Sequence, residues 1–346
     1  MMKNILIIQE RIHHYRIPFF NQISKNNNLS VLSSSIREDF ETVNFEVLNS
    51  KTVSFGPFIY LKNFKKITDE KYDIIVAPFD LRFFQLFIFV LFRKKINKWI
   101  WWGLDIGKSN TALKIKTAFS KLNNPIIFYH EKIMLDFVNF GLNKKKAYVA
   151  NNSFYIPNRI ESFKSNTKNC FVNVGSLDER KKNHDLITVF NDLVKITEKN
   201  IILYLIGTGE EEYNLKKLVS DLNLKRKVVF TGEINDPNQL SKYYLKSYAS
   251  VSYGQAGLAV LQSMANGVPF ITKQNAISGG EIHNINHKKN GILVTDSEDL
   301  KEWMVFCIEN EDWVKNLGKN AYDYYSKECS INNMVNQFEK AFCYDK

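Results

Sequence analysis

The sequence predicts an α/β protein made of two doubly wound domains, each a parallel sheet covered by helices, facing each other across a cleft. Three observations carry that expectation. At 346 residues the chain is too long for one ordinary core. Strand-like apolar runs alternate with helix-period segments, and the alternation restarts after a polar, proline-led stretch. In the second series the strands end in glycine-bearing turns, which is where sheets of this kind hold ligands.

The first series opens with a β-rich run at 4–9, an amphipathic stretch at 18–24 and a second strand at 30–34. Residues 72–78 (YDIIVAP) form a continuous apolar run of the sort buried in a parallel sheet. Residues 81–92 (LRFFQLFIFVLF) are long enough for a helix, and 98–103 (KWIWWG) return to strand. A helix is expected at 109–122, with Ser109 or Asn110 as its N-cap. A strand at 125–129, a helix at 131–140 ended by Gly141 and a strand at 147–151 complete this half. Residues 157–169 (PNRIESFKSNTKN) read as a linker. Strands at 171–175, 201–207, 228–231, 249–252 and 269–272 then alternate with helices at 184–195, 211–222, 238–247 and 258–266. The domains so drawn are 1–160 and 165–330, with a helical tail at 331–346 packing back on the first.

Composition narrows the function. Hydrophobic residues make up 45% and charged residues 24%, as in soluble globular proteins. Cys170, Cys307, Cys329 and Cys343 are scattered without metal-type spacing and read as cytosolic thiols. The apolar run at the N-terminus is only about five residues, too short for a signal peptide. No run reaches the roughly 18 apolar residues of a membrane span, so a cytoplasmic protein is expected. Residues 1–160 carry 24 Lys and Arg against 12 Asp and Glu, whereas the remainder carries 23 against 24. The whole net charge of +11 therefore sits in the first half, which suits an anionic partner such as a membrane surface or a phosphorylated substrate. The competing reading is a solvated Lys-rich surface. Nucleic acid is not among the expected partners. The apolar stretch before Arg93-Lys94-Lys95 fits a membrane interface, but the simpler reading is a core helix with a cationic end.

The residues able to do chemistry lie mainly in the second half. Val174-Gly175-Ser176-Leu177 ends a strand, and Arg180, Lys181 and Lys182 then precede a helix, an arrangement suited to a diphosphate. Leu205-Ile206-Gly207-Thr208-Gly209 and Phe230-Thr231-Gly232-Glu233-Ile234 end two more strands. The loop Gly254-Gln255-Ala256-Gly257-Leu258 leads into a helix, and its glycines would expose backbone N–H groups to phosphate. Ser278-Gly279-Gly280-Glu281 is a flexible loop ending in a carboxylate. In the first half, His13, His14, Tyr15 and Arg16 follow the first strand and suit a sugar or a phosphate. Adjacent histidines do not share a face and no other ligands cluster there, so no metal is expected.

In order, the segments VGSLDERKKNHDLI, LIGTGEEE, VVFTGEI, GQAGLAVLQSMANGVPFI and SGGEIHNINHKKNGILV resemble the donor domain of family 4 glycosyltransferases. That family has the GT-B fold, and its motifs are V-G-R-L…R-K-G-x-x-x-L-I, I-G-x-G, V-x-F-x-G, E-G-F-G-L-x-x-L-E-A-M-A-x-G-x-P-V-I and G-G-x-x-E…G-x-N-G-x-L-V. The resemblance covers about 125 residues and is specific for the fold rather than for any one sugar. It implies a phosphate-binding lysine at Lys182, shared with Arg180 or Lys181. It also implies a nucleotide side at Gly207 and Gly209, a base contact at Gly232, Glu233 and Ile234, and a donor-sugar contact at Glu281. The segment from Gly254 to Leu258 is assigned to donor binding with them. The first half resembles the acceptor domain, which gives His13, His14, Tyr15 and Arg16 to the acceptor. Asp105 or His130 stands in for the family's histidine near the reacting centre.

Several positions depart from the pattern. The arginine after the first glycine is Ser176, and the two glutamates of E-x7-E are Gly254 and Gln262. Gln262 can still accept from ribose through its amide oxygen, but Gly254 has only backbone to offer. The expectation is a retaining, metal-independent glycosyltransferase without a cofactor. It would use a nucleoside-diphosphate sugar and a glycan or polyprenyl-linked acceptor, in surface polysaccharide or lipopolysaccharide assembly, peripherally on the inner face of the membrane. Two alternatives stay open: a sugar-nucleotide epimerase of the same architecture, and a non-catalytic sugar-nucleotide-binding partner subunit.

Overall fold

The computed structural model describes residues 2–34, 43–62, 64, 71–92, 98–103, 110–120 and 124–344, except for the side chains of 110–113. The chain divides into two compact units, Met1–Tyr155 with Ser330–Lys346, and Ile156–Cys329.

The first unit is built on a seven-stranded parallel sheet. Its strands are β1 (Asn4–Ile8), β2 (Asn28–Ser33), β3 (Glu46–Asn49), β6 (Ile74–Pro78), β7 (Lys98–Gly103), β8 (Ile126–Phe128) and β9 (Ala147–Val149), in the order β3-β2-β1-β6-β7-β8-β9. The direction of travel reverses between β1 and β6. Central strands such as Ile5–Ile8 and Ile74–Ala77 are buried on both faces, which explains their unbroken apolar runs. Each such Ile or Val contributes roughly 2 kcal/mol by leaving water. The final helix, Ile331–Phe342, belongs to this unit. Its Phe338 ring meets Phe19 at 4.8 Å and Trp102 at 4.9 Å, and Asn27 donates to Glu339 at 2.8 Å.

Two features of this unit differ from the sequence reading. The antiparallel hairpin β4 (Thr52–Phe55) and β5 (Phe58–Leu61), turning at Gly56, has no counterpart in it. The stretch read as a core helix is a capped 3-10 turn, Leu81–Phe83, followed by a helix at Phe84–Phe92. That helix buries Leu86 and Phe87 but exposes Phe84, Ile88, Leu91 and Phe92. Apolar residues surround it on all sides, so composition did not reveal that only one stripe faces the core.

The second unit holds six parallel strands: β10 (Cys170–Val174), β11 (Ile202–Ile206), β12 (Val228–Gly232), β13 (Ser247–Val251), β14 (Phe270–Lys273) and β15 (Gly291–Val294). Their order, β12-β11-β10-β13-β14-β15, reverses between β10 and β13. Asn173, buried in β10, donates to Val251 O at 2.7 Å and ties the two strands at that point.

The segment read as a linker is packed into this unit instead. Ser162 is buried and donates to Tyr244 O at 2.6 Å. Arg159 donates to Ala265 O at 2.9 Å and lies over the Tyr322 ring at 3.9 Å. Lys168 is buried and donates to Ser162 O, Ser162 Oγ and Ser247 O at 3.1, 3.0 and 2.8 Å. The polar composition that suggested a tether is consumed by internal partners.

Lys168→Met is expected to lower unfolding free energy in urea by about 3 kcal/mol at pH 7, because three buried acceptors lose their donor. Burial pushes the Lys168 ammonium down from its ordinary value to about 8. Between pH 8 and the usual lysine range the unfolded chain binds more protons at this site than the folded one. The wild-type advantage over the variant should therefore grow with pH across that window, and fall back as pH drops through 8.

Candidate functional site

The turns after β10, β11 and β13 form the centre of the second unit's candidate site, where the strand order reverses. Backbone approaches backbone there too closely for side chains. Gly207 (φ +147°) would place a Cβ 2.0 Å from Gly175 O, and Gly209 would place one 2.4 Å from Leu177 O. Gly175 N donates to Ile206 O and Leu177 N to Thr208 O, both at 2.9 Å. Gly207 N likewise donates to Gly232 O at 2.9 Å, while Glu233 is exposed and Ile234 packs against the core cluster that includes Ile206, Leu240 and Tyr244.

The cationic turn is set by Asp178. Its carboxylate caps Glu179–Lys181, accepting from Arg180 N at 3.0 Å, Arg180 Nη2 at 2.7 Å and Ser176 Oγ at 2.6 Å. The Arg180 hydrogen bond is the main reason its carboxyl is held down to about 2. Arg180 is thereby committed to Asp178 and otherwise faces solvent.

Lys181 is buried, with Nζ 3.1 Å from where a Cβ on Gly175 would sit. Among the described residues its ammonium donates no hydrogen bond. Burial lowers its pKa, followed by opposing contributions from Asp178 and Arg180.

The geometry sets Lys182, to which the resemblance gave the phosphate role, apart from Lys181. Lys182 is exposed and adopts φ +52°, a left-handed conformation that favours glycine. Counting back from Leu186-Ile187, the motif R-K-G-x-x-x-L-I puts its glycine at Lys182 and its lysine at Lys181. Backbone conformation and burial agree with that register. Asn183, the next residue, was not singled out in sequence; it is buried with both Oδ1 and Nδ2 lacking partners among the described residues. Its signal was its place at the start of a 14-residue helix, Asn183–Ile196, beside three cations.

The position that carries the family's first glutamate cannot hold a side chain here. A Cβ on Gly254 would lie 2.2 Å from Arg180 O and 2.7 Å from Lys182 Cγ, and Gly254 N donates to Lys181 O at 3.1 Å. Gly254 O accepts from Ile277 N at 2.9 Å, and Ala256 N donates to Ile277 O at 2.8 Å. These bonds tether the loop of Glu281 to the same site. Gln255 accepts from Ser252 Oγ through its main-chain oxygen at 2.8 Å. Gly257 faces open space, Leu258 caps the seven-residue helix Ala259–Ala265 without a side-chain bond, and Gln262 on that helix is half-buried. Glu281 is buried at the start of a 3-10 turn. There Ser278 Oγ accepts from Gly280 N and Ile282 N, both at 3.1 Å.

In the first unit, a cavity of about 1060 Å³ opens at the ends of β1, β6, β7 and β8. His13, Tyr15 and Arg16 line it, together with Trp102, Lys116 and Tyr129. His14 is exposed outside it and meets Tyr15 edge-on at 5.9 Å. His130 is not in the lining. It caps helix Glu131–Asn139, its Nδ1 accepting from Lys132 N at 3.1 Å. Asp105 lies outside the described residues. Among the described residues no cluster of three His, Cys, Asp or Glu is placed to hold a metal ion.

Two Rossmann-like α/β units with these sheet orders define the GT-B class of fold. Residues 156–324, which span most of the second unit, match the model of the family "Glycosyl transferases group 1". An uncharacterized glycosyltransferase of Methanocaldococcus jannaschii is 29% identical over 187 residues, covering 53% of this chain and 46% of that protein. The O-antigen chain mannosyltransferase of Salmonella typhimurium is 29% identical over 168 residues, covering 47% and 44%. The chain thus spans about half the length of the curated relatives it matches. Across the full fold, Anabaena HepE in complex with UDP superposes with TM-score 0.73 at 16% identity, covering 98% of this chain and 99% of that one.

Two substitutions probe the turn. Lys182→Gly should leave thermal stability unchanged or raise it by up to about 1 kcal/mol, since it relieves the left-handed residue. Gly254→Glu, which restores the family residue, should destabilise by more than about 3 kcal/mol by overpacking. Denaturant melts of the two variants check both signs.

Proposed function

We propose that the protein is a retaining, metal-independent glycosyltransferase. It moves a sugar from a nucleoside-diphosphate donor to a glycan or lipid-linked acceptor during surface polysaccharide or lipopolysaccharide assembly. The observation that carries this reading is Lys181: a buried residue whose ammonium has no hydrogen-bond acceptor among the described residues, set between glycine turns that let a ligand reach the backbone. A diphosphate supplies the missing counter-charge. As the bond from the anomeric carbon to the diphosphate oxygen breaks, negative charge grows on the leaving group, and a fixed, poorly solvated cation stabilises it. Bound UDP in the Anabaena structure and the O-antigen role of the Salmonella relative support donor type and setting. Gly254 and Gln262 favour the second reading, a sugar-nucleotide binder without transfer, because the donor sugar lacks the usual carboxylate.

Calorimetry with UDP and GDP tests the donor site. Lys181→Ala should weaken binding about tenfold or more, whereas Lys182→Ala should change it by less than about threefold. Equal losses would overturn the assignment to Lys181. Incubation of labelled nucleotide sugars with a polyprenyl-linked acceptor then separates three outcomes. Transfer supports the proposal, conversion of donor alone supports an epimerase, and binding alone supports the second reading.

The proposal includes a peripheral position on an anionic membrane. Val53, Phe55, Phe58 and Tyr60 of the β4–β5 hairpin are exposed, as are Phe84, Ile88, Leu91 and Phe92 of the helix beside it, with Phe58 and Phe84 rings 6.1 Å apart. This apolar patch lies in the half that carries the basic excess. No helix among the described residues is long and apolar enough to cross a membrane. Sedimentation with phosphatidylglycerol vesicles should show binding that falls as salt rises, and that Phe55→Ser with Phe92→Ser weakens. Salt-independent or absent sedimentation would sink this part.

A further inference from the structure

Arg16 stands out in the first unit's cavity. The residue is 5% exposed, yet it lines the cavity wall. Its guanidinium lies 4.5 Å from the Trp102 ring centroid and 5.2 Å from those of Tyr15 and Tyr129, an aromatic box that fixes its plane. One edge is satisfied by a neutral group, Nη2 donating to Tyr129 Oη at 2.8 Å. Among the described residues Nη1, which is buried, has no partner.

The carboxylates of the lining do not neutralise it. Glu10 and Asp80 both pair with Arg82, at 3.2 and 2.7 Å. Among the described residues the lining carries four cations, Arg11, Arg16, Arg82 and Lys116, against those two carboxylates. A buried guanidinium without an anion costs several kcal/mol, and hydroxyls of a neutral sugar offset little of that. A bidentate oxyanion matches the free edge of the fork.

We infer that this cavity binds an oxyanion, a phosphate group, at the free edge of Arg16, and hence that the acceptor carries that group. The inference rests on the reading of the first unit as the acceptor half. It goes beyond that reading in requiring a charged acceptor rather than any glycan. Lys116, buried in the same wall, adds a second cation. The His13 pKa is lowered, first by partial loss of solvation, then by Arg16, Arg11 and His14, against the opposing pull of Glu10.

The test uses the full chain and calorimetry with inorganic phosphate, then with glucose 1-phosphate and with soluble short-chain phosphatidylglycerol. The expected result is saturable phosphate binding that Arg16→Gln weakens about tenfold or more, with UDP affinity unchanged within about twofold. Tighter binding of glucose 1-phosphate than of the lipid assigns the group to a soluble sugar phosphate; the reverse assigns it to a lipid headgroup. Absent phosphate binding, or equal affinity in Arg16→Gln, overturns the inference. Arg16 also braces Trp102, so a misfolded variant is anticipated by a measurement on the unaltered protein. The His13 ring resonances should shift saturably with phosphate and the imidazole pKa should rise, because a bound anion opposes its depression. Unmoved resonances likewise overturn the inference. Loss of UDP binding with phosphate binding intact would remove the transferase reading and leave this one standing.

Discussion

The second unit's site depends on one contact, the hydrogen bond from Gly254 N to Lys181 O, made at a distance that leaves no room for a side chain at 254. It clamps the loop after β13 onto the cationic turn after β10, across the point where the sheet changes direction. Asp178 fixes the other side of that turn, and the Gly254–Ile277 pairing carries the constraint on to the loop of Glu281. The loss of the family carboxylate at 254 is thus coupled to the shape of the turn at 180–182. Where a glutamate would reach a sugar, this chain has placed backbone.

Much of the fold was legible because steric and solvation demands dictate residue type. Doubly buried parallel strands must be apolar throughout, and turns where backbones nearly touch must use glycine, so both appear directly in the letters. The choice among Arg180, Lys181 and Lys182 was legible only through register: counting back from Leu186-Ile187 puts the motif glycine at Lys182, and φ at Lys182 and burial of Lys181 agree with it. The β4–β5 hairpin was missed although Thr52–Phe55 alternates polar and apolar residues and Phe58–Leu61 alternates in burial, because each strand is only four residues long and Val53, Phe55, Phe58 and Tyr60 are exposed. The stretch around Ser162 and Lys168 was hidden for the opposite reason: its polar groups satisfy one another inside the unit.

Both units put a buried cation near the reversal of their sheets, and they hold it differently. Lys181 is a point charge tucked over a glycine. Arg16 is a planar fork held between aromatic rings, with one side engaged by Tyr129. His13 and Tyr15 were read as equivalent to Arg16, but neither is buried, and neither is left with an unanswered charge.

The helix Ile331–Phe342 has a consequence for the order in which the protein comes into being. Its Phe338 sits in the core of the first unit, against Phe19 and Trp102, more than 170 residues after the rest of that unit has been synthesised. The second unit is continuous in sequence and emerges whole. On a ribosome, therefore, the half made first is finished last, and Phe19 and Trp102 wait without their cover until the chain reaches its final helix. A fusion or cleavage near residue 330 would act on the stability of the first unit, although it lies next to the second in sequence.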